Sequence, residues 1–339
     1  MKKSLLALAV LGAFAGVASA QSSVTLFGTV DLNARYVKND GSARRVSLSQ
    51  DGLNSSQLGF RGVEDLGGGL KASFILLSGV SADTGRNSGD TAGKTFNRRA
   101  TVSLLGGFGE VRLGRDYTPT FWNNTIFDGF GTNGLGDSSH VGISLLQPTF
   151  VRADNSIGYH LPANIGGLYG QFMVAAPEGV NTGKYIGGRV GFAAGPFDIA
   201  AAYAQSGITG TTEKAKTANI GGSYDLGVVK LMGYYDQTKQ QTAKLTRVSG
   251  SVVVPMGQGE IRGSYSQGKL NTAPTAKAQQ LALGYTYNLS KRTAVYGTVA
   301  QVSNKGAAQA SVAGGTSQSA LPTAGGKSKG FEVGVRHFF

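Results

Sequence analysis

The chain has 339 residues, with 32 Lys and Arg against 19 Asp and Glu, a formal net charge of +13, 53 Gly, 8 Pro and no Cys. The lack of cysteine excludes disulfide staples and thiolate metal or redox chemistry, and glycine without a triplet period excludes collagen. Beyond the first twenty residues no stretch holds the ~18 uninterrupted apolar residues that a spanning helix needs; the nearest, Val190–Ala204, is broken by Gly195, Pro196 and Asp198.

The first segment, MKKSLLALAVLGAFAGVASA, has a basic start (Lys2, Lys3), an apolar stretch (Leu5–Val17) and a small-residue site at Ala18-Ser19-Ala20. That pattern predicts a secretory signal peptide over 1–20, with a mature domain over 21–339. Losing Lys2 and Lys3 lowers the net charge of +13 by two, to +11. A basic balance suits nucleic acid, an anionic surface or anionic solutes. Export argues against nucleic acid, and the basic residues are scattered rather than clustered.

From residue 24 onward the sequence alternates with period two, the signature of strands. In the first segment Val24, Leu26, Gly28, Val30, Leu32, Ala34 and Tyr36 share one face, while Thr25, Thr29, Asp31, Asn33 and Arg35 share the other. Further strands are predicted near 57–63, 70–76, 99–104, 110–115, 152–161, 168–174, 185–192, 197–203 and 218–224. The rest lie near 229–235, 247–254, 260–265, 280–287, 293–302 and 331–339, which makes sixteen. Tight connections such as EDLGGG (Glu64–Gly69), LGGFG (Leu105–Gly109), PANIGG (Pro162–Gly167) and PMGQG (Pro255–Gly259) alternate with long polar stretches. Gly, Pro and Asn supply the dihedrals such reversals need.

Short turns on one side and long loops on the other predict a sixteen-stranded antiparallel transmembrane β-barrel, with periplasmic turns and extracellular loops. Only a closed barrel pairs every strand edge in lipid, where an orphan amide costs several kcal/mol. The apolar face then meets lipid and the arginine-bearing face lines water. Sixteen strands leave an aqueous lumen, whereas about eight would be filled by side chains. Tyrosines on the apolar parity near strand ends, among them Tyr159, Tyr203, Tyr235, Tyr265 and Tyr285, suit interfacial girdles. In the terminal GVRHFF, Phe339 takes the outward parity.

The segments QSSVTLFGTVDLNARY, SQLGFRGVEDLGGGLKASF, RRATVSLLGGFGEVRLGRDYTP, YNLSKRTAVYG and GVRHFF resemble the general porins of β-proteobacteria. The likeness covers essentially the whole mature chain and is densest in its first hundred and last sixty residues. It implies a homotrimer of sixteen-stranded barrels, each narrowed by a third loop folded inward, in a family that includes anion-selective members. Two positions depart from the family pattern: Gln57 where arginine is common, and Leu77 where an acidic residue is common.

The loop from Asp116 to Val151 is the longest irregular stretch, and it holds Asp116, Asp128 and Asp137 without a single Lys, Arg or Glu. Folded into the lumen, it would set carboxylates against an arginine wall and produce a transverse field at the narrowest point. Parity places Arg35, Arg99, Arg112, Arg152, Arg189, Lys230 and Arg262 on the polar face. Arg99, Arg112 and Arg152 rank first for the constriction because they border the loop; Arg35, Arg98 and Arg115 complete the expected basic wall. Arg98 has lipid parity, so it must lie above the membrane layer or at a local bulge. Guanidinium suits this task because it stays charged and holds its donors in a rigid fork.

The G-x-G-x-x-G at Gly129, Gly131 and Gly134 lies mid-loop without a strand–helix context, and GSYSQGK (Gly263–Lys269) lacks the Ser or Thr of a phosphate loop. His140, His160 and His337 show no metal-ligand spacing, and no nucleophile–base pair stands out. The reading is therefore a non-enzymatic outer-membrane channel for passive diffusion, without a cofactor, favouring small anions such as phosphate or organic acids. Its expected partners are those solutes, outer-membrane lipid and lipopolysaccharide, and further copies of itself. The other readings are a non-conducting barrel serving as surface adhesin or structural anchor and, less well supported, a barrel enzyme.

Overall fold

The computed structural model describes residues 23–88, 93–142, 151–177, 183–208, 211–314 and 320–339. The predicted signal peptide lies outside the described residues. Eighteen strands form one sheet in which all pairings are antiparallel. In chain order they are β1 (Ser23–Asn39), β2 (Arg45–Gln50), β3 (Gln57–Gly67), β4 (Leu70–Ser81), β5 (Arg86–Asn87), β6 (Arg99–Gly106), β7 (Gly109–Tyr117), β8 (Arg152–His160) and β9 (Leu168–Ala175). The second half comprises β10 (Tyr185–Ala194), β11 (Phe197–Gly207), β12 (Lys214–Asp225), β13 (Lys230–Gln240), β14 (Ala243–Met256), β15 (Gly259–Leu270), β16 (Ala276–Asn288), β17 (Thr293–Gly306) and β18 (Lys327–Phe338). Strands β2 and β5 are short pairings within loops; the other sixteen form the wall, one for each segment expected from the alternation.

Closure comes from β1 pairing with β18 over Thr29↔Phe338 to Asn39↔Ser328, so the sheet has no free edge. Every wall amide can then be satisfied without water, which is what hydrocarbon requires. Phe339 extends the seam: Gly28 N donates to its carbonyl at 3.1 Å and Phe339 N donates back to the Gly28 carbonyl at 3.2 Å. A Cβ at Gly28 would overlap the Phe339 ring, so glycine is required there. At the opposite extreme of freedom, Gly67, Gly68 and Gly69 take φ of +83°, +61° and +82° in the turn between β3 and β4, a run open only to glycine.

The faces are inverted relative to a water-soluble sheet protein. Val24 is 67% exposed, Leu281 62% and Val333 61%, while their strand neighbours Thr29, Asp31, Asn33, Gln280 and Glu332 are buried on the lumen side. Lipid covers the first set. Between β7 and β8 the chain enters the lumen as helix α1 (Pro119–Ile126), followed by two single 3₁₀ turns (Gly134–Gly136 and Ser138–Val141). Pro119 starts the helix and the Thr118 hydroxyl accepts from Phe121 N at 3.4 Å, a standard N-terminal pairing.

This inward segment packs on one arc of the wall. Phe127 nests at Gly221 of β12, Phe130 at Gly284 of β16, and the Val141 carbonyl at Gly268 of β15. Polar anchors reinforce the contact. Asn123 donates to the Ala200 carbonyl at 3.1 Å and to Asn219 at 2.8 Å, Gly129 N to Ser251 Oγ at 3.2 Å, and Leu135 N to Glu332 at 3.0 Å. Phe127, Leu135 and Val141 are buried against the wall in consequence. The third loop is folded inward as the resemblance implies. Its helix is an addition to the sequence reading, which treats the whole stretch as irregular because the strand alternation stops there.

Candidate functional site

With one arc covered, the lumen narrows between the loop and the bare arc carrying β3, β4, β6, β7 and β8. The space there is a cavity of about 890 Å³. Its loop side includes Phe121, Trp122, Thr125, Asp128, Gly131–Asn133 and Asp137; its wall side includes Gln57, Leu77, Arg98, Arg99, Tyr117 and Arg152, with Lys230, Glu260 and Arg262 reaching it from β13 and β15. A second cavity of about 470 Å³, on the long-loop side, is lined by Arg35, Arg45, Asp51, Asp83, Asp137 and His140 among others.

The wall is organised around Asp116 and Tyr117, the last two residues of β7. The Asp116 carboxylate accepts from Arg99 Nε and from Arg112 Nη1, each at 2.6 Å, and is almost fully buried. Arg112 also reaches Glu110 at 2.8 Å, so Arg99 and Arg112 are matched by two carboxylates. The Tyr117 ring lies 4.5 Å under the Arg152 guanidinium and 5.8 Å from that of Arg99. Arg152 Nη2 donates to the Tyr117 hydroxyl at 2.9 Å, and among the described residues Arg152 has no ion pair. Arg98 approaches Asp51 only to 3.6 Å.

The six arginines expected in the wall thus fall into three sets. Arg98, Arg99 and Arg152 line the larger cavity. Arg35 lines the outer cavity, where it pairs with Glu332 at 2.7 Å and donates to the Gln50 carbonyl at 3.3 Å. Arg112 stands behind Asp116, and Arg115 turns to Asp154 at 2.5 Å, which Lys94 also reaches at 2.6 Å. Arg98 is not part of the regular alternation: it precedes β6, donates its N–H to the Leu77 carbonyl at 3.0 Å, and so escapes its lipid parity. The register of β7 and β8 shifts between Gly114 and Asp116, opposite Asn155 at φ +52°, and this redirects Arg115 and Asp154.

The three aspartates also separate. Asp116 belongs to the wall strand rather than to the loop. Asp128 serves the loop itself, accepting from Phe130 N at 2.9 Å, Thr132 N at 3.2 Å, Ser138 N at 3.2 Å and Ser138 Oγ at 2.6 Å. Burial, with the nearby Asp137 charge, pushes the Asp128 carboxyl up to about 6 despite those bonds. Asp137 borders both cavities; its carboxylate accepts from Ser139 N at 2.7 Å and lies 3.6 Å from His140, whose burial holds the imidazole pKa down. The loop surface facing the arginines is therefore aromatic and neutral-polar except at Asp128, which is nearly buried, and Asp137.

Sequence reasoning does not single out Tyr117, Trp122 or Glu332. Tyr117 carries a signal, since it follows Asp116 on the same strand between two arginine-bearing neighbours. Trp122 and Glu332 carry none, because their positions depend on where the loop lands.

A sequence model described as Gram-negative porin matches residues 7–307. The chain is 40% identical over 358 aligned residues to outer membrane porin protein 32 of Delftia acidovorans, with 100% of each chain covered. It is 31% identical to an outer membrane porin protein of Bordetella pertussis, over 87% of this chain and 93% of that one. Among solved structures, the anion-selective porin from Comamonas acidovorans superposes with a TM-score of 0.84 at 38% identity, covering 94% of this chain and 100% of that one.

Proposed function

The chain belongs to the Gram-negative porin family and forms an outer-membrane channel for passive diffusion of small hydrophilic solutes, and from that premise we propose that the channel favours anions. The observation that carries this reading is Arg152: a guanidinium on the wall of the narrow cavity, stacked on Tyr117 and matched by no carboxylate among the described residues. Arg98 and Arg99 stand on the same wall, and of the two loop carboxylates bordering the cavity Asp128 is engaged by hydrogen bonds within the loop, which leaves Asp137 as the more open one. Aromatic stacking holds the Arg152 group in place while leaving its charge for the solute.

The magnitude fits a channel rather than a binding site. An anion 4 Å from one guanidinium gains about 4 kcal/mol at an effective dielectric near 20, before desolvation and screening. Carboxylates around Arg99 and Arg112 and water in the lumen reduce that to about 1–2 kcal/mol, near tenfold in preference. Conduction needs such weak sites. Inorganic phosphate and small organic acids are solutes whose paired oxygens suit a guanidinium fork. The resemblance further supports assembly of three copies, testable by the mass of the detergent complex.

Reversal potentials of the purified protein in a planar bilayer under a KCl gradient test the selectivity. The expected sign is anion preference, weakening as salt rises past the point where the Debye length falls below about 8 Å. Cation preference at low salt would refute it.

A further inference from the structure

We infer that the inward helix gives the narrow cavity a stacking face, so that among carboxylates of equal charge the channel takes aromatic ones ahead of saturated ones. The inference deepens the anion reading and rests on it: Arg152 holds the carboxylate, while Trp122 with Phe121 selects the ring.

Helix α1 is amphipathic in the reverse sense. Residues three and four apart share one face of a helix. Thr120, Asn123 and Asn124 form such a face; it is polar, and it is the one buried against the wall. The Thr120 hydroxyl bonds to that of Tyr185 at 3.1 Å, and the Thr120 carbonyl accepts from Asn219 at 2.9 Å. Asn124 donates to Asp236 at 3.0 Å. These bonds fix the rotation of the helix, and Phe121, Trp122 and Thr125 turn to the lumen, where all three line the cavity. Trp122 is 38% exposed and Phe121 half-buried. A helix of a water-soluble protein hides such side chains in its core. Aromatic surface held open where the lumen narrows marks a place that meets a ligand.

The cation and the rings are contiguous. The Tyr117 ring lies 4.5 Å from the Arg152 guanidinium; Phe121 stacks on it at 5.8 Å with planes 13° apart, and Trp122 lies 5.6 Å away at 40°. Both the guanidinium and the indole are measured to the Tyr117 centroid, so they stand within about 10 Å of each other. Among the described residues Tyr117 is the only ring against Trp122, which leaves indole surface for a solute. With its carboxylate in the guanidinium fork, a single aromatic ring reaches that surface.

Burial alone does not distinguish a flat ring from a saturated one of similar size. The flat ring gains in addition an offset or edge-to-face contact with the indole, worth about twofold to tenfold in affinity. Binding of that strength still permits release, as conduction requires. Chloride and inorganic phosphate use the guanidinium and gain nothing from the rings.

The test uses the full protein in planar bilayers and in detergent. Benzoate and cyclohexanecarboxylate, both ionised at neutral pH, are added to a chloride-conducting channel, and block of the chloride current gives the affinity of each. Benzoate should bind about threefold more tightly or better. Trp122→Leu should abolish that difference and Trp122→Phe should keep most of it; comparing the two carboxylates within each variant cancels any change in pore width. Trp122 is the only tryptophan of the chain, so the wild-type fluorescence reads the site without any variant. Benzoate should perturb the emission at the concentrations that block the current, and cyclohexanecarboxylate should not. Equal block by the two carboxylates in the wild type would overturn the inference, as would a benzoate preference undiminished in Trp122→Leu. Should that variant fail to fold, emission unaltered by benzoate during full block would overturn it as well. Failure of the anion reading shows separately, as cation preference in KCl, whereas chloride preference with equal block by both carboxylates sinks the ring preference alone.

Discussion

The two arcs of the barrel use the same alternation for different ends. On the arc from β9 to β18, much of the lumen-facing polar surface holds the loop: Asn219, Asp236, Ser251, Gln280 and Glu332 each bond to it, while Lys230, Glu260 and Arg262 reach the cavity beside it. On the bare arc, Arg98, Arg99, Tyr117 and Arg152 face the solute path. The difference teaches that a lumen position is not by itself a pore position. A polar side chain pointing inward becomes functional only where the loop leaves it uncovered.

The sharpest way to break that division is to remove Asp236. Its carboxylate accepts from Arg247 Nη2 at 3.0 Å, from Asn124 of the loop at 3.0 Å and, more distantly, from Asn219 at 3.4 Å, and both members of the ion pair are shielded from solvent. Asp236→Ala leaves Arg247 without its counter-charge, a loss of about 3–5 kcal/mol for a buried pair. The unfolding free energy in detergent should fall by that amount, whereas Arg152→Ala on the bare arc should change it by less than about 1 kcal/mol. Equal losses would show that the two arcs are not distinct.

The pH dependence of the loop comes next. The Asp128 carboxyl, raised to about 6 by burial and by Asp137, is more easily protonated folded than unfolded. Its protonation therefore supports the fold fully below the ordinary carboxylate pKa near 4, and that support is lost as pH rises through about 6. The size is about 1–3 kcal/mol. Asp128→Asn should flatten the stability profile of the barrel between pH 4 and 7 relative to wild type. Parallel profiles in the two proteins would mean that the carboxyl titrates as if exposed.

Selectivity separates residues within the bare arc. Arg152→Ala should lower the anion-to-cation permeability ratio about fivefold, equivalent to about 1 kcal/mol. Arg99→Ala should lower it less, because Asp116 already offsets that charge. Asp116→Asn should raise the ratio by freeing Arg99, while Arg112 keeps its pairing with Glu110. If Arg99→Ala has the larger effect, the arginine matched by a carboxylate, not the unmatched one, governs passage.

The wall is legible because its rule is local. Lipid and water impose a period of two on every strand, and all sixteen segments, with turns such as Glu64–Gly69, follow it. Two kinds of fact escape that rule. Arg115 and Asp154 are displaced by a register shift opposite Asn155, which no alternation reveals. Glu332 and Asp236 point inward as parity requires, yet their use depends on a loop arriving from more than a hundred residues away. The net charge misleads for a third reason: it sums all surfaces, and Lys216, Lys239 and Lys269 share the parity of the apolar face, outside the channel.

The smallest effect tests whether the bare arc is tuned as well as exposed. Gln57 and Leu77, the two departures from the family pattern, both line the larger cavity. They lie on adjacent strands, with Leu77 paired to Gly59 and Gln57 to Gly79. A charge introduced at either position meets the same water as Arg98 and Arg99, and at an effective dielectric between 20 and 80 its pull on an ion about 8 Å away is about 0.5–2 kcal/mol before screening. Salt and the neighbouring arginines reduce this to a few tenths, a change of up to about twofold. Gln57→Arg should therefore raise anion preference slightly and Leu77→Glu lower it slightly, with the two cancelling in the double variant. Additivity is the informative part. A Leu77→Glu carboxylate that instead captured Arg98 would leave the single variant weakly selective and make Gln57→Arg unable to restore it, and reversal potentials of the three variants at low salt distinguish these outcomes.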